Sequence, residues 1–227
     1  MQTAQATAKP ERQLIGRAVF LISGGIDSPV AASMLIRKGI EPVFAYFNSY
    51  PLCDQAAEGI AIETVRRVCS FHNVTGVKFY SIPHSLDLEQ IVTKCPEKYA
   101  CILSRRLMFR IAEKIGVHEH CDAIITGDAI GQKASQTLQN IAATDCVMEK
   151  LTVIRPLVGM NKLDIERYAK SIKTFEISTK PGVATCAVPT RNPSTSARRI
   201  RLEEAEARLN LLSMVGDALK NARVLQL

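Results

Sequence analysis

The sequence predicts an α/β fold, a doubly wound parallel sheet covered by helices, and three observations predict it. Ala18-Val19-Phe20-Leu21-Ile22 is a continuous apolar run with β-branched members, the pattern of a strand buried on both faces. That run is followed at once by Ser23-Gly24-Gly25-Ile26-Asp27-Ser28-Pro29 and then by helically spaced apolar residues from Val30, so the order is strand, glycine turn, helix. Further strand-like runs then alternate with helical segments, which implies right-handed crossovers and a ligand site at the carboxyl ends of the strands.

Taken in order, Pro42 to Phe47 reads as the second strand, Asp54 to His72 as a long helix and Val74 to Ile82 as the third strand. Leu86 to Gly116 is helical with an interruption near Pro96; its second half keeps an apolar face punctuated by Arg105, Arg106 and Arg110. Asp122 to Thr126 is a further buried strand ending in Gly127-Asp128. A helix from Lys133 to Ala142 follows, then the strand Leu151 to Ile154 and the helix Lys162 to Ser171. Thr179 to Pro193 is rich in Pro, Thr and Gly, and Ser194 to about Lys220 reads as one arginine-rich amphipathic helix. The expected organisation is a leader at 1–13, a nucleotide-binding domain at 14–193 and a helical extension at 194–227.

Composition excludes some classes. With 227 residues, 47% hydrophobic content and no apolar run long enough to span a bilayer, no membrane partner is expected. Met1 to Lys9 lacks an apolar signal segment. Seven cysteines, an odd number without a disulfide-framework spacing, point to a reducing, cytoplasmic location. A net charge of +7 favours a polyanionic partner. Cys53, Cys69, Cys121 and Cys146 read as small hydrophobes.

The turn after the first strand carries the chemistry. A glycine pair between a buried strand and a helix aims backbone N–H groups and a helix dipole at one point, which suits phosphate. The spacing is neither a Walker loop nor a dinucleotide fingerprint. Asp27 beside a phosphate cradle requires a cation between them, so it is expected to face Mg²⁺ held through the phosphates. The plainer alternative is an ordinary turn in which Asp27 only caps the helix.

Ser23-Gly24-Gly25-Ile26-Asp27-Ser28 resembles the PP-loop of the N-type ATP pyrophosphatases, which have an adenine nucleotide alpha hydrolase-like fold and split ATP into AMP and pyrophosphate while adenylating a substrate. A second stretch, Thr126-Gly127-Asp128-Ala129-Ile130-Gly131-Gln132-Lys133-Ala134-Ser135-Gln136-Thr137-Leu138, reads on its own equally as a ligand-holding or a helix-capping loop. It resembles the Thr-Gly-Glu-x-x-Gly-Gln-x-x-Ser-Gln-Thr-Leu segment of the tRNA 4-thiouridine synthetases (tRNA sulfurtransferases, a thiamine-biosynthesis family). Arg155 to Lys162 and the helix ending in Thr174 to Ser178 are similar to the same family.

The resemblance implies roles. Leu21, Ile22, Tyr46 and Phe47 would flank the adenosine, Ser23, Gly24, Gly25, Asp27 and Ser28 would hold the phosphates, and Arg105, Gly127 and Gln136 would complete the ATP pocket. Lys162 would offset charge as pyrophosphate leaves. Asp128 stands where the family has glutamate, one methylene shorter. Cys186 matches the family's sulfur-relay position, where Lys180 and Arg191 would favour the thiolate. Cys101 is its expected partner. Relatives with Cys-x-x-Cys at this place can hold an iron–sulfur cluster, but Ser104 replaces the second cysteine and a hydroxyl is a poor iron ligand; Cys95 is the alternative thiol.

The implied activity is ATP- and Mg²⁺-dependent thiolation of a tRNA uridine, with sulfur from a persulfide carrier or sulfide. The family's THUMP and rhodanese modules are not expected within this chain, so it is either a piece of a longer protein or a stand-alone homologue that borrows tRNA binding. Two alternatives remain: a pyrophosphatase activating another acceptor, and a nucleotide-binding subunit without turnover. Ile200, Leu209, Leu212, Val215 and Leu219 form a stripe expected to pack on the core or across a homodimer, with Arg198, Arg199, Arg201 and Arg208 beside it.

Overall fold

The computed structural model describes residues 13–182, 190 and 192–227. Six strands, β1 (Gly16–Ile22), β2 (Ile40–Asn48), β3 (Lys78–Pro83), β4 (Ala123–Ile125), β5 (Thr152–Ile154) and β6 (Arg223–Gln226), form one sheet in the order β5-β4-β1-β2-β3-β6. All pairings are parallel except β3 with β6. The chain winds outward from β1 through β2 to β3, then crosses back to place β4 on the other side of β1. The crevice between β1 and β4 is therefore the topological switch point, where ligands of such sheets bind.

The helices are α1 (Asp27–Arg37), α2 (Ala56–His72), α3 (Ser85–Lys94), α4 (Ala100–His118), α5 (Leu138–Asp145), α6 (Lys162–Ser171), α7 (Phe175–Ser178), α8 (Arg199–Glu206) and α9 (Leu211–Lys220). Because strand side chains alternate, Ala18, Phe20 and Ile22 of β1 join α1, α2 and α6 in one core while Val19 joins α3, α4, α8 and α9 in the other. Both faces of β1 are thus covered, which is why its sequence reads as a continuous apolar run.

Four expected elements differ. The third strand, expected from Val74, runs Lys78–Pro83. Asp54 does not start α2; its carboxylate accepts from Ala56 N (2.7 Å) just ahead of the helix. The segment from Lys133 is not yet α-helical: a 3-10 turn at Ala134–Gln136 precedes α5, which Thr137 caps by accepting from Asn140 N (3.2 Å). The single C-terminal helix is two helices and a strand. Asn210 ends the first segment's continuation by capping α9, accepting from Ser213 N (3.1 Å), and β6 then adds antiparallel to β3.

The C-terminal elements are locked in place by a buried ion pair. Glu206 of α8 accepts from Arg106 (2.8 and 2.7 Å) and Arg110 (2.7 and 3.0 Å) of α4. Leu202, Ala205, Met214 and Ala218 are buried in the α4 core, and Leu209, Val215 and Leu219 pack against it, whereas Ile200 and Leu212 of the expected stripe are exposed. Arg199 and Arg201 pair with Glu203 and Glu204 on their own helix, a solvated face. Among the described residues no helix is long and apolar enough to cross a membrane.

Candidate nucleotide-binding site

β1 stops at Ile22, and the turn that follows is held by its own hydroxyls. Ser28 Oγ accepts from Ser23 N (3.1 Å) and lies 3.3 Å from Ser23 Oγ. Gly24 has φ +73°, a conformation only glycine adopts freely, and packs on α2 at Ile60 and Ala61. The plainer alternative, a turn in which Asp27 only caps the helix, does not hold. The N-cap is Ile26, no side chain caps α1, and Asp27 and Ser28 lie in its first turn. The amides of that turn are thereby left to an anion.

The turn borders a cavity of about 150 Å³ at the switch point. Of the residues predicted for the nucleotide, Leu21, Ile22, Ser23, Asp27, Ser28, Arg105, Gly127 and Gln136 line it. Gly24 and Gly25 shape the turn behind them. Gly127 brings β4 against α1: a Cβ there would sit 2.7 Å from Ser28 N and 2.8 Å from Ser28 Cα. Tyr46 and Phe47 do not line the cavity. Both side chains are buried, Tyr46 stacked on Phe79 and Phe47 edge-on to His84, so only the backbone at the end of β2 adjoins Ile22.

Lys162, at the start of α6, reaches across to Asp27 with Nζ 3.0 Å from Oδ1. Asn161 fixes that helix start by accepting from Asp164 N (2.9 Å). Asp128, set aside in the sequence as a shortened family residue, is nearly fully buried and tied to four side chains. Arg105 donates to it, as do Thr126 Oγ1 (2.8 Å), Arg155 Nε (3.4 Å) and Gln136 Nε2 (3.3 Å). Burial alone would raise its pKa, but Arg105, the Thr126 hydroxyl and Arg155 hold it below the usual carboxylate range.

Four further lining residues, Met108, Phe109, Thr126 and Lys133, were missed. Met108 and Phe109 of α4 give the cavity an apolar wall, with the Arg105 guanidinium 5.8 Å from the Phe109 ring centre. Their spacing three and four residues after Arg105 puts them on its helix face, a signal the sequence carried. Lys133 adds a cation that makes no ion pair among the described residues.

Asp27 with the hydroxyls of Ser23 and Ser28 is a set of hard oxygen donors, which fits an Mg²⁺ bound mainly through phosphates and water. The thiols weighed for a cluster are not gathered among the described residues. Cys95 Sγ is buried against Ala205 O (3.4 Å), and Ser104 Oγ is 3.0 Å from Nε2 of His84, whose Nδ1 is 3.1 Å from Asp87. Cys101 Sγ lies 3.7 Å from Thr190 Oγ1. Cys186 and Arg191 lie outside the described residues. Lys180, expected beside Cys186, is paired with Glu63 at 2.6 Å. Burial pushes the Cys69 and Cys121 thiols up to about 12, in keeping with inert core residues.

A mainly parallel α/β sheet with an uncapped glycine turn and a charged cavity at its switch point is an architecture of the ATP pyrophosphatase kind. Residues 14–211 match the family described as Thiamine biosynthesis protein (ThiI), and the chain belongs to that family. It is 37% identical over 211 residues to a protein of Acetivibrio thermocellus named Probable tRNA sulfurtransferase, covering 92% of this chain and 53% of that one. A solved structure described as a 4-thiouridine synthetase–RNA complex with bound ATP superimposes with a TM-score of 0.88 at 34% identity, over 93% of this chain and 55% of that one. NMN synthetase from Francisella tularensis shares the fold, with a TM-score of 0.54 at 15% identity over 88% of this chain and 82% of its own. The chain spans about half the length of the curated relatives it matches.

Proposed function

We propose that this chain is the adenylating domain of a cytoplasmic tRNA sulfurtransferase that makes 4-thiouridine. The carrying observation is the cavity lined by Ser23, Asp27 and Ser28 of the turn and by the Arg105–Asp128–Gln136 group, with Lys162, outside the lining, reaching Asp27. Its apolar wall suits a purine and its glycine turn suits a triphosphate. The similar 4-thiouridine synthetase, described with RNA and ATP, supports the same occupants here.

In this reading ATP lies with its phosphates against the amides of the turn. A uridine carbonyl oxygen attacks the α-phosphorus and pyrophosphate leaves, with Lys162 offsetting the charge that builds on the departing group. Mg²⁺, when bound by Asp27 through the phosphates, supplies further neutralisation. The product is an O-adenylated base with AMP as leaving group. Sulfur reaches Cys186 as a persulfide by transfer from a persulfide carrier, which leaves as its thiol. Cys101, beside Thr190, is the thiol we assign to attack that persulfide: the Cys101–Cys186 disulfide forms as hydrosulfide leaves, the hydrosulfide adds to the activated ring carbon and displaces AMP, and an external dithiol then reduces the disulfide. Free sulfide, where it is the donor, attacks the ring carbon directly.

Pyrophosphate release measured with and without unmodified tRNA tests the reading. Release that depends on tRNA, with an oxygen-to-sulfur mass change in the RNA, is expected. Release with another acceptor alone, or ATP binding without any release, would instead identify a different pyrophosphatase or a non-catalytic nucleotide-binding subunit.

A further inference from the structure

A second cavity, of about 260 Å³, opens on the same edge of the sheet as the first. Asn48, which lines it, ends β2 two residues beyond Tyr46, the partner of Ile22 at the end of β1, so both cavities lie along the carboxyl ends of the strands. Ser81 is the residue here that packing does not explain. It sits in β3 between Tyr80 and Ile82, whose side chains join the α4 core, so its own faces the other way, toward α2. A strand covered on both faces favours an apolar residue at such a position. Ser81 is nevertheless a serine, 5% exposed, whose hydroxyl makes no hydrogen bond among the described residues. Unlike Thr64 and Ser178, whose unpartnered hydroxyls are sealed in the interior, Ser81 lines the cavity, and its hydroxyl is left for a ligand.

The groups around it fix what that ligand can be. Glu58, in the first turn of α2, accepts from Arg223 and from Asn48 Nδ2 (3.2 Å), so its carboxylate is held by two partners and the two charges in the lining cancel. Arg223 lies directly opposite Ser81 in the β3–β6 register. A free anion gains little there. Asn221 gives its Nδ2 to Asp217 O (2.8 Å), which leaves its side-chain oxygen as an acceptor. Tyr50, whose N–H donates to Asn48 Oδ1 (3.0 Å), adds an aromatic ring to the lining with 53% of its surface exposed. An uncharged ligand with donors and acceptors on its edge and a flat face to stack is a nucleobase, and a base free to enter such a site is an unstacked one from a single-stranded segment.

We propose that this cavity holds one unstacked base of the RNA substrate, stacked on Tyr50 with its polar edge toward Ser81 and Asn221, and so positions the RNA beside the ATP site. None of Asp27, Lys162 and Cys101 lines it, so the base it holds is not the one that reacts. The net charge of +7 supplies attraction to the RNA backbone, and the cavity supplies a contact to a base that charge alone cannot. This inference rests on tRNA being the substrate.

The test measures pyrophosphate release against tRNA concentration for the full chain, Tyr50→Ala, Tyr50→Phe and Ser81→Val, with the ATP dissociation constant and melting temperature of each. Tyr50→Ala should raise KM for tRNA about tenfold, the worth of one stacked base, with kcat and ATP binding unchanged. Ser81→Val should raise it about fivefold, the worth of one neutral hydrogen bond, again in KM alone. Tyr50→Phe, which keeps the ring, should stay close to the unmodified protein. Tyr50 is exposed, so its variants read the point even should Ser81→Val fail to fold. Unchanged KM in Tyr50→Ala or in folded Ser81→Val, or an equal loss in Tyr50→Phe, would overturn the inference and leave the tRNA reading intact. So would a fall in kcat or in ATP affinity, which would join the cavity to the reacting centre. Absence of tRNA-dependent release by the unmodified protein would overturn the tRNA reading and this inference together.

Discussion

Nζ of Lys162 and Oδ1 of Asp27 are 3.0 Å apart, although the two residues are separated by 135 positions and belong to helices on opposite ends of the chain's path. The contact puts a cation at the mouth of the phosphate turn before any ligand arrives. Both side chains keep solvent access, at 47% and 22% exposure, so the pair contributes little to stability and is free to exchange partners. A triphosphate with Mg²⁺ would take Asp27 to the metal and free Lys162 to meet the charge that builds as pyrophosphate departs.

Lys162→Ala should therefore leave the melting temperature and the ATP dissociation constant nearly unchanged and lower pyrophosphate release by about 10²–10³-fold, the cost of removing one preorganised charge from a transition state. Lys162→Arg should recover part of the rate. Steady-state and binding measurements on the same preparations check this, and an equal loss in binding and turnover would place Lys162 in ground-state recognition instead.

Gly127→Ala should damage the site from outside the phosphate turn. The added methyl meets backbone atoms of Ser28 and Asp27 at 2.7 to 2.9 Å, which cannot rotate away as a flexible side chain would. We expect a stability loss of about 1–3 kcal/mol, accompanied by weaker ATP binding. Thermal melts and titrations read both, and a variant with normal ATP affinity would show that the β4 loop and the turn move independently.

Acid should loosen the C-terminal elements. Burial by itself would raise the Glu206 carboxyl, but the hydrogen bonds from Arg106 and Arg110 hold it below its ordinary value. A depressed folded pKa contributes stability above the unfolded value of about 4.3, and that contribution is lost as pH falls through the folded value. The melting temperature should thus be flat near neutrality and drop below about pH 4. Glu206→Ala, which strands Arg106 in the core, should cost about 3–5 kcal/mol at neutral pH and flatten the acid limb. An unchanged acid limb would assign that limb to other carboxylates.

Cys186→Ala should still bind ATP and release pyrophosphate in the presence of tRNA, but with a persulfide carrier as donor it should form no thiolated base. Nucleoside analysis of the RNA checks this, and undiminished 4-thiouridine would remove Cys186 from the sulfur path.

Much of this arrangement was legible in the sequence because its signals are local. The apolar run into Gly24 and Gly25 marked β1 and the turn at its end, and the apolar spacing from Lys162 to Ser171 marked α6 at its observed bounds. What was not legible depends on tertiary contacts. β6 is four residues, Arg223–Gln226, at a sheet edge and mostly exposed, so it shows no apolar alternation. The break between α8 and α9 rests on Asn210 as a cap within a helical-looking stretch. Tyr46 and Phe47 end β2 at the ligand edge, yet packing against Phe79 and His84 turns their rings inward. The role of Asp128 could not be read from spacing because its charged partners, Arg105 and Arg155, lie 23 and 27 residues away on other segments of the chain.

The central claim is that the turn from Ser23 to Ser28 holds ATP so that the bond between its first and second phosphorus atoms breaks. Chromatography of the products formed from ATP labelled at the α-phosphorus, with Mg²⁺ and unmodified tRNA present, tests it most directly. The account predicts labelled AMP and adenylated or thiolated RNA with unlabelled pyrophosphate. Labelled ADP with free phosphate, or unchanged ATP that shows no binding to the protein, would contradict it.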